Sequence, residues 1–173
     1  GEVKLTETEM EYVVSCVKHI FTDFIVLQFF ILNTLDDQQL QNVRVNVDIG
    51  DEELYALETI IPAQCAKYGE RASCFVALRR LGEPLPTTLT CELQFKIVNV
   101  DPNTGQVETG RKGFDEDFPL ESLEISTSDF MAKVSVGDFR RNWEQLGTDG
   151  EVLEKFALQF KKLEEAITGV SDF

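Results

Sequence analysis

Residues 24–32 read Phe-Ile-Val-Leu-Gln-Phe-Phe-Ile-Leu, the one run of this 173-residue chain that is apolar at nearly every position. A helix crossing a bilayer needs about 20 such residues, so the run is too short to span one. Its β-branched and aromatic content, bounded by Thr22-Asp23 and Asn33-Thr34, predicts a strand. In a strand, Ile25, Leu27, Phe29 and Ile31 share one face, and Phe24, Val26, Phe30 and Leu32 share the other with Gln28. Two apolar faces predict a strand at the centre of its sheet. At least two of Phe24, Val26, Phe30 and Leu32 are then expected to be covered by a loop, a second unit or a second subunit.

The neighbouring segments alternate as strands do. Met10–Phe21 sets Tyr12, Val14 and Cys16 against Val13, Ser15 and Val17. Asn42–Ile49 gives the cleanest period of two, with Val43, Val45, Val47 and Ile49 on one face and Arg44, Asn46 and Asp48 on the other. Leu54–Ile61 ends at Pro62, which has no N–H for a sheet ladder. Ser73–Arg79, Thr88–Val100 and Leu123–Ile125 complete the set. About seven strands separated by turns, with no long helix, are the pattern of an all-β sandwich. Asp101-Pro102-Asn103-Thr104-Gly105 reads as a turn, and Asp115-Glu116-Asp117 as a solvated loop.

Beyond Ser126 the pattern changes. Residues 130–136 are ambiguous between helix and strand, Phe139–Leu146 has the spacing of a short helix around Trp143, residues 152–160 read as a strand and 163–170 as a helix. A boundary is therefore expected near 126, with a sandwich over 1–126 and the start of a mixed α and β unit over 127–173. The opening Gly1-Glu2-Val3, without a methionine, reads as a piece of a longer protein.

The chain carries 31 acidic against 16 basic residues, a formal charge of -15. Such a balance disfavours nucleic acid and anionic membranes as direct partners. Cys16, Cys65, Cys74 and Cys91 form no C-x-x-C pair, and His19 is the single histidine, so a zinc site of the usual kind is not expected. With no N-x-[ST] acceptor and no charged-then-apolar leader, the expectation is a reduced, cytosolic domain. Gly105, Gly110 and Gly113 match neither a dinucleotide fingerprint nor a P-loop, the acidic run lacks the spacing of a calcium loop, and His19 has no nucleophile motif beside it. No catalytic constellation, cofactor or metal site is predicted.

Five stretches carry a resemblance by their order and separation: LTETEMEYVVSCVKHIF (5–21), VDPNTG (100–105), DEDFPLESLEI (115–125), FRRNWEQLG (139–147) and LEEAI (163–167). Together they resemble the appendage, or ear, of the coatomer gamma subunit family, which is related to the clathrin-adaptor appendages. The resemblance implies a mainly β chain: an immunoglobulin-like β-sandwich followed by an α+β platform. That platform continues in the family beyond the position of Phe173 and is expected to be incomplete here.

It also implies a non-enzymatic protein-binding module of the COPI coat in retrograde Golgi-to-ER and intra-Golgi transport. The implied partners are other coatomer subunits and Arf GTPase-activating proteins, with membrane association indirect through the coat and location on the cytosolic face of Golgi membranes and vesicles. A clathrin-adaptor-type appendage and a structural spacer without a ligand site are the alternatives.

Trp143, the single tryptophan, has two readings. A lone tryptophan on a short amphipathic helix is commonly a core anchor. The resemblance implies instead that it is the platform tryptophan that binds partner motifs, with Phe139 beside it. Arg140 and Arg141 have the chemistry to pair with acidic residues of a ligand, although surface arginines more commonly only solubilise. Helical spacing places Phe139 and Leu146 on or near the Trp143 face, where packing is the simpler role for both.

Overall fold

The strand predicted from residues 24–32 is the middle strand of a five-stranded antiparallel sheet. In the computed structural model, which describes residues 1–50, 53–83, 85–108, 112–131 and 137–146 apart from the side chains of Phe139, Asn142 and Leu146, the first sheet has the order β1-β2-β3-β7-β5. These strands are β1 (Glu2–Lys4), β2 (Tyr12–Ile20), β3 (Phe24–Asn33), β5 (Tyr55–Ile61) and β7 (Arg71–Arg80). The second sheet has the order β10-β8-β4-β6, with β9 also pairing β8. Its members are β4 (Gln38–Asp48), β6 (Ala63–Ala66), β8 (Thr87–Asn99), β9 (Phe114–Pro119) and β10 (Leu123–Ile125). The chain divides into two compact units, Gly1–Ala132 and Lys133–Phe173. The first is the mainly β, two-sheet sandwich that the alternation predicts, with the immunoglobulin-like character that the resemblance implies.

The core lies between the inner faces of the two sheets. Ile25, Leu27, Phe29 and Ile31 of β3 are buried there with Val14 and Cys16 of β2 and Val76 and Leu78 of β7. The second sheet contributes Leu40, Val43 and Val45 from β4, Leu89 and Leu93 from β8, and Leu123 from β10. Cys16, Cys74 and Cys91 are free thiols within this layer, and burial pushes each up to about 12. At physiological pH they are neutral core side chains.

One break in the apolar phase is structural. Leu40 faces the core, and so do Val43 and Val45, although an odd spacing places residues 40 and 43 on opposite sides of a regular strand. The register shift between Gln41 and Arg44 absorbs the extra residue, and Asn42 sits there at φ 52°. Asparagine is among the few side-chain-bearing residues that tolerate this left-handed conformation, so the bulge has a sequence cause. The cleanest alternation therefore begins at Asn42, whereas β4 itself reaches back to Gln38.

Three strands depart from the sequence reading. β1 and β6 are short edge strands whose residues become strands only by pairing, Glu2–Lys4 against Ser15–Val17 and Ala63–Ala66 against Leu40–Val43. The acidic run 115–117 is not a loop but part of β9, paired with β8 from Glu92↔Pro119 to Ile97↔Phe114. Phe118 anchors it with its ring edge-on to Tyr12, centroids 5.5 Å apart, while Asp115, Glu116 and Asp117 remain exposed. The predicted strand over 152–160 and helix over 163–170 lie outside the described residues.

The second face of β3 is only partly shielded. Val26, Phe30 and Leu32 are half-buried and Phe24 is 37% exposed. At Phe30 the cover is a side chain, the Arg71 guanidinium stacked 3.8 Å from the ring centroid.

Beyond β10 a short 3-10 helix, Thr127–Phe130, closes the end of the sandwich. Asp129 accepts from the Ser126 backbone N–H at 2.8 Å and pairs with the Lys18 ammonium, which also donates to the Glu124 carbonyl at 2.9 Å. Both side chains of the pair are mostly covered, 12% and 19% exposed.

Two outcomes test this description. Phe29→Ala should lower the unfolding free energy by about 3–5 kcal/mol in urea titrations, because a fully buried ring leaves a cavity. At Asp129, burial raises the carboxyl and the Lys18 and Ser126 contacts outweigh it, so the group titrates below its ordinary value. Its stabilisation is therefore complete above the unfolded carboxylate pKa of about 4 and is lost as pH falls below that. Asp129→Asn should cost about 2 kcal/mol at neutral pH and flatten the loss of stability as the pH falls below about 4.

Candidate functional site

The predicted helix around Trp143 is present as α1, Phe139–Leu146. Its start is set by Asp138, whose Oδ1 accepts the backbone N–H of Arg141 at 3.2 Å. An aspartate in this position satisfies one of the donors that the first turn leaves without a helical partner, and its charge complements the positive end of the helix dipole. No β-branched residue or glycine interrupts FRRNWEQL, so the local sequence favours the helix once it is capped.

All four expected site residues, Phe139, Arg140, Arg141 and Trp143, fall on this helix. Trp143 is 61% exposed, and Arg140, Arg141, Glu144 and Gln145 are exposed as well. Arg140 stands three residues before Trp143 and one helical turn from Glu144, so these three share a side. Arg141 is two positions from Trp143 and points to a different side of the cylinder. The helix thus joins one aromatic ring and one guanidinium. The Phe139 and Leu146 side chains lie outside the described residues.

The other positions weighed in the sequence have structural settings. His19 is exposed on the first sheet, its Nε2 3.0 Å from Gln28 Oε1. Gly105 closes the predicted turn at φ 67°, where its N–H reaches the Asp101 carbonyl at 2.7 Å. The Asn103 N–H donates to the Asp101 carboxylate and holds it below its ordinary range. Gly113 lies against β8, where a Cβ would come within 2.3 Å of the Ile97 carbonyl. Asp115, Glu116 and Asp117 border a depression of about 380 Å³ together with Arg44, Gln94 and Lys96. Among the described residues no group of three or more histidine, cysteine or acidic side chains is arranged to hold a metal ion, and no helix is long and apolar enough to cross a membrane.

Sequence reasoning passed over a wider depression of about 760 Å³ at one end of the sandwich, lined by Phe21, Phe24, Phe130, Asp23 and Arg80. The signal was present in the two phenylalanines that bracket the β2–β3 turn, since a turn made for water carries polar residues at those positions.

The family model described as the coatomer gamma subunit appendage platform subdomain matches residues 1–126, the stretch that folds as the two-sheet sandwich. Coatomer subunit gamma of Dictyostelium discoideum is 41% identical over 169 residues, covering 95% of this chain and 18% of that protein. Human coatomer subunit gamma-2 is 39% identical over 176 residues, covering 99% of this chain and 20% of its own length. The chain thus spans about a fifth of the length of these curated relatives. Among solved structures, a yeast GGA1 GAE domain superposes with a TM-score of 0.45 at 9% identity, covering 73% of this chain and all of that one.

The cap gives a local test. Asp138→Ala should weaken α1 by about 1 kcal/mol, read as roughly fivefold faster hydrogen exchange at the Arg141 amide, with the amides of β3 unchanged.

Proposed function

The chain belongs to the coatomer gamma subunit appendage family, and from that premise we propose that it is a non-enzymatic protein-binding appendage of the COPI coat. In this reading it recruits accessory proteins, Arf GTPase-activating proteins among them, through Trp143 and Arg140 of α1. Residues 127–173, which follow the stretch that the family model matches, are the start of a second unit that carries the helix. Other coatomer subunits are its partners, and it works on the cytosolic face of Golgi membranes and vesicles. Association with the membrane is indirect, as suits a chain with a formal charge of -15 that an anionic leaflet repels.

The observation that carries the reading is the exposure of Trp143, 61% on a capped helix. About 100–150 Å² of indole surface held in water can return about 3 kcal/mol when a partner covers it. Arg140 on the same side supplies N–H donors for a carboxylate of the ligand. Tryptophan and arginine side by side are the residue types that dominate binding energy at protein interfaces. Arg141, turned away from the ring, contributes less to the contact and more to solubility.

The test is Trp143→Ser in the intact chain, with affinity for an Arf GTPase-activating protein measured by calorimetry and stability by thermal unfolding. Binding should weaken by about 30-fold or more while the midpoint moves by no more than about 2 °C. A core tryptophan would reverse the two results, with a large loss of stability first. A wild-type chain that binds no such protein would leave the spacer reading in its place.

A further inference from the structure

Of the four strands that end a sheet, β1, β5, β6 and β10, β5 is the longest, at seven residues. Among the described residues it pairs with β7 alone. The Leu81 N–H donates to the Leu54 carbonyl at 2.9 Å, which makes these two a hydrogen-bonded pair of the antiparallel ladder. Alternation along the ladder then turns the N–H and C=O of Tyr55 and Leu57 away from β7, toward the open edge. The register shifts between Leu57 and Thr59, so the regular stretch of that edge ends at Leu57.

The same stretch borders an apolar gap in the sandwich. Leu57 stands opposite Leu78, whose side chain is fully buried, so it belongs to the inner face, yet it is 48% exposed. The second sheet leaves this place open: β6 pairs β4 only between Leu40 and Val43, and among the described residues no strand flanks Arg44–Asp48 on the side away from β8. A depression of about 380 Å³ lies at this end, walled by Val47, Asp48 and Ile49 on one side and Tyr55, Ala56 and Leu57 on the other. The chain that joins the two walls is acidic, since residues 48–53 read Asp-Ile-Gly-Asp-Glu-Glu. Arg80, opposite Tyr55 on β7, lines the separate depression with Phe21 and Phe24.

We propose that the edge of β5 takes up a short extended segment of a partner protein, antiparallel to β5, with two apolar residues at alternate positions followed by lysine or arginine. The open edge sets the conformation: its N–H and C=O groups are satisfied by another strand and not by a helix, whose own backbone groups are internally paired. Residues directly opposite Tyr55 and Leu57 share their inward face, so these are the two apolar positions, and their side chains enter the depression against Val47 and Ile49. An antiparallel segment passes Leu57 first and Tyr55 second and then approaches the acidic residues that precede β5, which places its cations after the apolar pair. A second copy of this chain fits less well, because both molecules carry a charge of -15. The site uses no residue of α1 and stands apart from the reading of Trp143.

The experiment titrates the intact chain, in about 0.15 M salt, with the synthetic peptide Thr-Val-Thr-Val-Thr-Lys-Lys and follows the backbone amide resonances of Tyr55 and Leu57. Both amides should shift on binding. Methylation of the peptide nitrogen of either valine, whose N–H faces β5, should abolish the shifts, whereas methylation at the threonine between them, whose N–H faces away, should change binding little. Glutamate in place of both lysines should weaken binding about fivefold or more. Leu57→Asp should weaken it at least about tenfold, while Leu57→Met and Trp143→Ser leave it intact. The Leu57→Met result guards against a loss caused by misfolding. Absence of binding overturns the proposal, as does binding that Leu57→Asp does not change or that methylation at the intervening threonine abolishes equally. So does sedimentation showing a wild-type dimer that Leu57→Asp disperses, because the occupant is then a second copy.

Discussion

The fold depends on one constraint, the alignment of two inner apolar rows that exclude water completely. Ile25, Leu27, Phe29 and Ile31 on β3 face a layer that includes Val43, Val45, Leu89 and Leu93, every one of them without measurable exposure or within 1% of it. A slip of one residue in any of these strands would exchange its buried and solvated sides. That penalty explains the bulge at Asn42: with Leu40 and Val43 both needed inside, the backbone takes up one unpaired residue rather than lose either side chain. It also explains the ordered closure by Lys18, Ser126 and Asp129, which holds the chain leaving β10 against the open end of β2.

How much of this was legible depends on where the stabilisation of each element resides. β3, β4 and β8 are written in the sequence because their own alternation or continuous apolarity specifies strand and face together. β1, β6 and β9 are not, because their residues acquire strand geometry from a neighbour. Asp115-Glu116-Asp117 has no strand propensity, and only the pairing of Phe114–Pro119 with β8 and the seat of Phe118 on Tyr12 draw it into the sheet. Its carboxylates also serve that edge, since exposed charge on a terminal strand discourages further strand addition.

The apolar second face of β3 was legible as a pattern but not in its consequence. Alternation tells how many faces want burial; it does not tell what meets them. The Arg71 guanidinium over Phe30, held by Glu2 from β1, covers one ring by a contact between residues 30, 71 and 2 that no local window contains. The rest of that face alternates apolar with polar side chains, Val17 beside Gln28 and Phe30 between Ser15 and Ser73, and stays half exposed. The two outer faces thus differ in degree: the outward positions of β4 and β8 are polar, whereas the first sheet mixes valine and phenylalanine with serine, glutamine and arginine–glutamate pairs.

The helix α1 rests on different information. Its existence follows from Asp138 and the helix-forming run that succeeds it, and its spacing fixes that Arg140 rather than Arg141 accompanies Trp143. Its purpose does not follow from the run, because a tryptophan four residues after Phe139 and three before Leu146 has the same spacing whether it fills a core or waits for a ligand. Exposure is the observation that bears on the choice where periodicity is silent. A core anchor gains its stabilisation from the chain that surrounds it, and an indole 61% exposed retains apolar surface that a further contact would bury.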